Sequence, residues 1–182
     1  MTQSSSTLVN GRVGLFWGPR QKPFAECSRD VLASLMVLRE QGFEKYFHGG
    51  RRRGEIMKRE IEIQADVIAD LLVQGADPGE VEAGVDPELG WSLSLWSGDP
   101  AEAYSISFVC GAYSAWARNS VIMVLPTVGP RSLASDSRRA IAIHERLLDI
   151  WQPEQAVVCE GDIEWKDGRL TTENEPLVHL GR

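Results

Sequence analysis

Two carboxylates and a lysine near the end of the chain are the residues that most resemble a catalytic motif. Glu164, Trp165 and Lys166 make an ExK triplet, which Asp162 precedes. Restriction-type nucleases bind Mg²⁺ through an Asp and the Glu of such a triplet, and the Lys stabilises the attacking water or the leaving phosphate. The apolar segment before the triplet, residues 156–159, has no Asp at its start. A solvated turn is therefore the simpler interpretation, and a Mg-dependent nuclease using Asp162, Glu164 and Lys166 is kept as an alternative.

Other signatures of catalysis or metal binding are missing from the sequence. It contains no GxGxxG, GxxxxGK[ST], GxSxG or HExxH motif. Of the three histidines, His144 beside Glu145 is the one that could pair with a nucleophile on a helix, but a position on the surface or on a helix face is the ordinary expectation. We predict no catalytic residue, no metal and no cofactor, so the chain is not expected to be an enzyme.

The cysteines are few and widely spaced. Cys27, Cys110 and Cys159 are odd in number and lack CxxC or Cys/His ligand spacing, which argues against a disulfide framework and against a zinc site. The polar start of the chain has no apolar run after a basic segment, and no stretch of eighteen apolar residues follows. These features predict a reduced, cytoplasmic protein that does not enter the membrane.

Charge is distributed unevenly within a net charge of -7. Residues 60–117 contain eleven acidic side chains and no Lys or Arg. Such a segment repels a phosphate backbone and accelerates encounter with a basic protein. A basic stretch with Arg51, Arg52 and Arg53 lies just before it, and pairing with the acidic segment is favoured over a nucleic-acid patch. We therefore expect a protein partner and no direct nucleic-acid ligand.

Apolar periodicity predicts three helices and about five strands. The helices are expected at residues 24–41, 67–75 and 136–151, and the strands at residues 13–17, 91–96, 104–110, 121–125 and 156–159, with a brief alternating segment at 61–63. The segment at 121–125 is apolar throughout, as in a central strand covered on both sides. This order indicates an α+β fold with a mainly antiparallel sheet packed against helices. Residues 1–10 are expected to be a flexible N-terminus and residues 11–182 a single domain.

The strands at 91–96 and 104–110 predict a hairpin with two chemically different faces. Strand parity places Trp91, Leu93 and Leu95 toward the core and Ser92, Ser94 and Trp96 on the other side. The second strand adds further serines to that side, Ser105 and Ser107. Of the six tryptophans most are expected in the core, whereas for Trp96 and the loop residue Trp116 an interface and a core position are equally open. The predicted binding residues are Asp86, Glu88, Ser92, Ser94, Trp96, Asp99, Glu102, Ser105, Ser107 and Trp116.

Several blocks of sequence together resemble the immunity protein 52 family. They occur in the expected order across most of residues 13–160: Phe16-Trp17-Gly18-Pro19-Arg20, Glu26-Cys27, Glu88-Leu89-Gly90-Trp91-Ser92-Leu93-Ser94-Leu95-Trp96, Cys110-Gly111-Ala112-Tyr113-Ser114, Asn119-Ser120-Val121 and Leu125-Pro126. The loop at residues 51–53 and the tail after Glu160 do not take part in this resemblance.

The resemblance implies an antidote in a bacterial polymorphic toxin system, often of the type VI secretion kind. Its implied partner is a cognate toxin encoded by the neighbouring gene, commonly a nuclease with a restriction-endonuclease fold, and the free antidote would be a monomer or homodimer. The family brings no catalytic residues to carry over. A structural or assembly protein of a phage or secretion apparatus is the remaining alternative, because the same surface would serve self-association.

Overall fold

The computed structural model describes residues 9–48, 60–75, 88–166 and 169–181. Within these ranges the chain forms three helices, α1 (Phe24–Glu40), α2 (Ala65–Gly75) and α3 (Ser137–Trp151), and nine strands. The strands are β1 (Gly11–Trp17), β2 (Phe47–His48), β3 (Trp91–Trp96), β4 (Ser105–Cys110), β5 (Asn119–Val124), β6 (Gln155–Glu160), β7 (Ile163–Lys166), β8 (Arg169–Thr172) and β9 (Val178–Gly181).

Seven of the strands form one antiparallel sheet in the order β2-β3-β4-β5-β1-β6-β9. The helices cover one face of this sheet, where α1 contacts both other helices, α2 contacts β3, and α3 contacts β1 and β6. Alternate strand residues such as Leu15, Leu93, Ile106 and Val121 are buried there. The α+β class and the antiparallel sheet on helices are thus confirmed.

A small hairpin of β7 and β8 covers the other face of β1 and β6. Phe16 and Trp165 have their ring centroids 6.2 Å apart, and a side chain at Gly14 would meet Ile163 Cδ1 at 2.8 Å. Val157 is fully buried beneath this hairpin. Since β3, β4 and β5 lie outside its footprint, their corresponding face keeps exposed and half-buried residues.

Local sequence explains where the long elements begin and end. The Asp136 carboxylate accepts a hydrogen bond from the Arg139 N–H at 3.1 Å and so caps α3. Gly42, with a φ of 85°, follows α1 in the left-handed conformation that glycine adopts without strain. The three helices and the β3–β4 hairpin occur where they were predicted, with ends that differ by one or two residues.

The estimate of about five strands was too low. The added strands β2, β7, β8 and β9 have two to four residues each, too few for a readable alternation. Residues 61–63 are not a strand, since Glu60 makes only an isolated bridge with Phe47 before α2. The ExK triplet is not a turn, because it lies in β7.

Two burial predictions also need correction. The β5 strand is central in the sheet, but Ile122 and Val124 are only half-buried, because the β7–β8 hairpin covers β1 and stops short of β5. His144 is 2% exposed and lies in the core rather than on a surface. Residues 1–8 of the expected flexible N-terminus and the basic residues Arg51, Arg52 and Arg53 lie outside the described residues. Among those that are described, no helix is long and apolar enough to cross a bilayer.

Candidate protein-binding surface

The side of β3 and β4 that faces away from the helical layer carries four serines and one tryptophan, which we call the serine face: Ser92, Ser94, Trp96, Ser105 and Ser107. The end of α2 borders it, because the Ser92 hydroxyl donates to the Gly75 carbonyl at 2.8 Å. Ser94 pairs with Ser107 across the two strands, and Trp96 pairs with Ser105. The Oγ atoms of Ser94 and Ser107 lie 3.0 Å apart in a hydrogen bond. Ser92 and Ser94 are exposed, while the other members are half-buried. The predicted parity of this hairpin is therefore confirmed.

Trp96 lies at the outer edge of the serine face. Its partner across β2 is Phe47, whose ring centroid is 5.9 Å away. The same Phe47 ring packs on Gly98, where a Cβ would come within 2.4 Å. Trp96 is consequently half-buried, with part of its ring covered from the side. The residue after Phe47, His48, pairs with the buried Leu95 and so lies on the helix side of the sheet, where burial lowers its pKa.

Trp116 lies in the loop of residues 111–118, which joins β4 to β5, and is 91% exposed. At this exposure most of the apolar ring is in contact with water, which is unfavourable in free energy. Burial of the ring in a partner protein would remove that unfavourable contact. Because β3 is six residues long, its two ends lie about 17–20 Å apart. The loop that carries Trp116 follows β4 at the Ser92 end of the hairpin, whereas Trp96 lies at the opposite end. Trp116 itself lines a cleft with Phe16 and Trp165, on the side of β1.

The backbone that carries Trp116 is fixed by buried hydrogen bonds. The fully buried Asn119 accepts from the Ala112 N–H at 3.0 Å and donates to the carbonyls of Ala112 and Gly18 at 2.9 and 2.8 Å. The N–H groups of Tyr113 and Ser114 both donate to the Glu88 carbonyl. The loop therefore presents Trp116 from a defined conformation, which lowers the ordering cost of binding.

An aromatic cleft of about 260 Å³ separates the Trp116 loop from the β7–β8 hairpin. The Arg118 guanidinium lies over the Trp165 ring, 4.5 Å from its centroid, in a cation–π contact. The Trp165 Nε1 atom is buried without a hydrogen-bond partner among the described residues. Sequence reasoning missed Arg118 and Asn119, since a polar residue at the start of an apolar strand carries no pattern of its own.

The acidic candidates do not gather on this surface. Glu102 is half-buried and forms an ion pair with Arg131, which also donates to the Gly42 carbonyl at the end of α1. The Asp99 carboxylate accepts from the Ala101 N–H at 2.8 Å within the β3–β4 turn. Glu88 lies at the other end of β3, and Asp86 lies outside the described residues. The structure thus groups the serines with Trp96, places Asp99 and Glu102 around one cleft at the turn end of the hairpin, and leaves Glu88 at the opposite end.

The alternative catalytic residues are placed on the β7–β8 side. The Asp162 carboxylate is engaged by the Arg12 guanidinium, and Glu164 pairs with Thr171 across the hairpin. Lys166 is the last residue of β7. In the described part of the chain, no three His, Cys, Asp or Glu side chains come together as a metal site.

Comparison with known proteins identifies the family. The structure resembles that of Pseudomonas aeruginosa T6SS protein PA0821 with a TM-score of 0.47 and 12% identity, over 84% of this chain and 40% of that one. No curated protein matches the sequence. The family model described as "Immunity protein 52" matches residues 11–167, which include the serine face, the Trp116 loop and β7. The chain therefore belongs to the immunity protein 52 family.

Proposed function

We propose that this chain is an immunity protein that binds and neutralises a cognate bacterial toxin through the serine face together with Trp116. The observation that carries the proposal is the 91% exposure of Trp116 on a loop held by the buried Asn119. An exposed aromatic anchor beside small hydroxyl groups is the composition of many protein interfaces, in which the ring fills a pocket and the hydroxyls supply adaptable hydrogen bonds. Membership of the family supports the immunity role.

The serine face suits a partner surface rather than a small ligand. It lies on the adjacent strands β3 and β4, and four of its five side chains are serines. A sheet face of this kind can bind a complementary protein surface with little change in its backbone, because hydrogen bonds between the strands hold it in place. The proposed mechanism is tight, stoichiometric binding that blocks the toxin's active site or its access to substrate, without a cofactor.

We propose a nuclease of the restriction-endonuclease fold as the toxin, encoded by the neighbouring gene and delivered by a type VI or related secretion system. The chain carries a net charge of -7, which attracts a basic surface that has to bind phosphate. Four of its acidic residues lie in α2 or just before it, near the β2 edge of the sheet: Glu60, Glu62, Asp66 and Asp70. Their negative charge would attract a basic toxin toward this edge. Neutralisation would take place in the cytoplasm, where such a toxin meets its substrate.

The proposal is tested by binding and protection together. The catalytic domain of the toxin encoded beside this gene is purified as an inactive variant and titrated with this protein by calorimetry, and growth is followed when the active toxin is co-expressed. We expect a stable complex with one copy of each chain and restored growth. Absence of a complex, or a complex that leaves the toxin lethal, would overturn the proposal.

A cleavage assay separates the nuclease alternative. Wild-type protein and Glu164→Ala are incubated with DNA and Mg²⁺. Cleavage by the wild type that the substitution removes would assign catalysis to the β7 carboxylates and displace the immunity proposal. We expect intact DNA with both proteins, in keeping with the engagement of Asp162 by Arg12.

A further inference from the structure

Two cysteines that are distant in sequence meet inside the fold. Cys27 lies in the first turn of α1, Cys110 is the last residue of β4, and both are 0% exposed. The Cys27 thiol donates to the Lys22 carbonyl at 3.8 Å, and the Cys27 and Cys110 thiols are near enough for each to shift the pKa of the other. A Cβ built on the adjoining Gly111 would lie 3.1 Å from Cys27 Sγ, so the start of the helix approaches the end of the strand closely here.

We propose that Cys27 and Cys110 form a reversible intramolecular disulfide that cross-links the start of α1 to the end of β4. A disulfide needs Cβ atoms about 3.5–4.5 Å apart and side chains that point toward each other, and the close approach of Cys27 Sγ to Gly111, the neighbour of Cys110, brings the two side chains together. The third cysteine is out of reach. Cys159 pairs with Arg12 on the side of the sheet away from the helices, whereas Cys27 and Cys110 lie in the core beneath α1.

The surroundings give the two thiols different roles. The hydrogen bond with Cys110 and the nearby Lys22 ammonium lower the pKa of Cys27, whereas the contact with Cys27 and burial raise the pKa of Cys110. The N-terminus of α1 adds to the stabilisation of a Cys27 thiolate. Its place in the first turn of α1 makes Cys27 the thiol assigned as nucleophile, with Cys110 as the resolving thiol.

The reaction is a thiol–disulfide exchange with a low-molecular-weight disulfide such as oxidised glutathione. The Cys27 thiolate attacks one glutathione sulfur and releases one glutathione thiolate, and the deprotonated Cys110 then displaces the second from the mixed disulfide. The protein loses two electrons and two protons, and oxidised glutathione becomes two reduced molecules. Both cysteines lie at ends of their elements, where local opening costs less free energy than global unfolding.

The cross-link would act on the segment that carries Trp116. Cys110 directly precedes the loop of residues 111–118, so the disulfide ties the base of this loop to α1. It also closes a ring of roughly 80 residues in the unfolded chain, which stabilises the fold chiefly by restricting the unfolded ensemble. The expected rise in Tm is about 5–15 °C. This inference does not depend on the identity of the toxin.

The test oxidises the folded protein and maps its thiols. Wild type, Cys159→Ala and Cys27→Ala are equilibrated in glutathione buffers of increasing oxidised fraction, quenched with acid, alkylated and measured by intact mass and peptide mapping. We expect Cys159→Ala to become lighter by two hydrogen atoms, to lose both alkylatable thiols and to yield a Cys27–Cys110 peptide. Its Tm should rise and return to the starting value with dithiothreitol, whereas Cys27→Ala should form no internal cross-link.

Matched controls keep the test decisive. The same Cys159→Ala protein unfolded in urea shows that the buffer oxidises accessible thiols. If the folded protein keeps two free thiols under buffers that oxidise the unfolded one, or if wild-type peptides show a bridge to Cys159, the proposal is overturned. Because the wild-type peptide map requires no substitution, this outcome can be read even where a variant folds poorly.

Discussion

The side chain of Asn119 brackets the backbone of Ala112, accepting from its N–H at 3.0 Å and donating to its carbonyl at 2.9 Å. The same amide donates to the Gly18 carbonyl at 2.8 Å, so one buried side chain joins the first residue of β5 to the Trp116 loop and to the end of β1. These three hydrogen bonds give partners to backbone N–H and C=O groups that no other backbone group in the turn could satisfy. The position of Trp116 therefore depends on a side chain that is fully buried in the fold.

Replacing Asn119 with alanine is predicted to destabilise the fold. The Ala112 N–H and the Gly18 carbonyl lose their partner in the interior, whereas the Ala112 carbonyl still accepts from the Arg20 N–H at 2.9 Å. Leaving two buried backbone groups unsatisfied costs about 2–4 kcal/mol, measured as the free energy of unfolding in urea. The matched control is Asn174→Ala, which removes one exposed bond to the Glu160 carbonyl and should cost less than about 1 kcal/mol. Equal costs for the two variants would contradict the bracketing role.

Replacing Trp116 with alanine is predicted to separate binding from stability. The side chain is 91% exposed, so the free energy of unfolding should change by less than about 0.5 kcal/mol. Toxin affinity should fall by about thirtyfold or more, the loss of at least about 2 kcal/mol that defines an interface hot spot. Met36→Ala on α1, 41% exposed on the helix side, is the control and should bind as the wild type does. A Trp116→Ala protein of unchanged affinity would remove Trp116 from the interface.

An arginine at Ser94 tests whether the serine face is covered by the partner. The Ser94 side chain is exposed in the middle of β3 and hydrogen-bonds Ser107 at 3.0 Å. A long cation placed there would be desolvated in the complex and would face a basic toxin, so affinity should fall at least tenfold, which is about 1.4 kcal/mol. Met36→Arg on α1, where Met36 is 41% exposed, adds the same charge on the helix side, away from the face. Equal toxin affinities of the two variants would show that the serine face lies outside the interface.

The ion pair of Glu102 with Arg131 is predicted to stabilise the fold rather than the complex. Arg131 also donates to the Gly42 carbonyl at 2.6 Å and lies over the rings of Phe43 and Tyr104 at 5.6 and 5.5 Å. A double-mutant cycle of Glu102→Ala and Arg131→Ala should give a coupling of about 1 kcal/mol, with the Arg131 single variant the more damaging. The exposed pair of Glu40 and Arg146 should give less than about 0.5 kcal/mol. Similar couplings in the two cycles would place the Glu102 pair among ordinary surface pairs.

The sequence predicted the long elements because their periodicity reports burial directly. Leu93 and Leu95 alternate with Ser92 and Ser94, and the structure buries the first two and exposes the second two. The same logic could not find β7, β8 and β9, because four residues are too short to show a period. Their pairing is decided by tertiary contacts, such as the packing of Trp165 on Phe16.

The binding surface was only partly readable from sequence for a similar reason. The alternation of side chains along β3 places Trp96 with the serines. That Phe47 packs beside Trp96 could not be predicted, because it depends on the pairing of β2 with β3 over only two residues. The ion pair of Glu102 with Arg131 joins residues 29 positions apart, so a count of negative charges could not show that Glu102 already has a partner. Composition reports how many charges a segment carries, whereas which of them face a partner depends on the fold.

The pH dependence of stability is predicted to report on His144. Both ring nitrogens are buried without a hydrogen-bond partner among the described residues, and burial lowers the pKa of this imidazole, with Glu145 opposing the shift. The unfolded chain binds a proton near the ordinary pKa of about 6.5, while the folded chain binds it only at lower pH, so unfolding takes up a proton in between. Stability should therefore fall as pH decreases below about 6.5, by up to about 1.4 kcal/mol per pH unit.

Replacing His144 with leucine should flatten this dependence, because the substituted core has no proton to take up on unfolding. Burial also lowers the pKa of His48. The free energy of unfolding of the His144→Leu protein should therefore still fall with decreasing pH, but less steeply. Leu147→Ala on the same helix is the control: it should lower stability by about 2–5 kcal/mol at every pH and keep the wild-type slope. Urea unfolding between pH 5 and pH 7.5 measures all three proteins. A His144→Leu protein with the full wild-type slope would show that the proton is taken up elsewhere, since removing the buried imidazole must remove its share of the linkage.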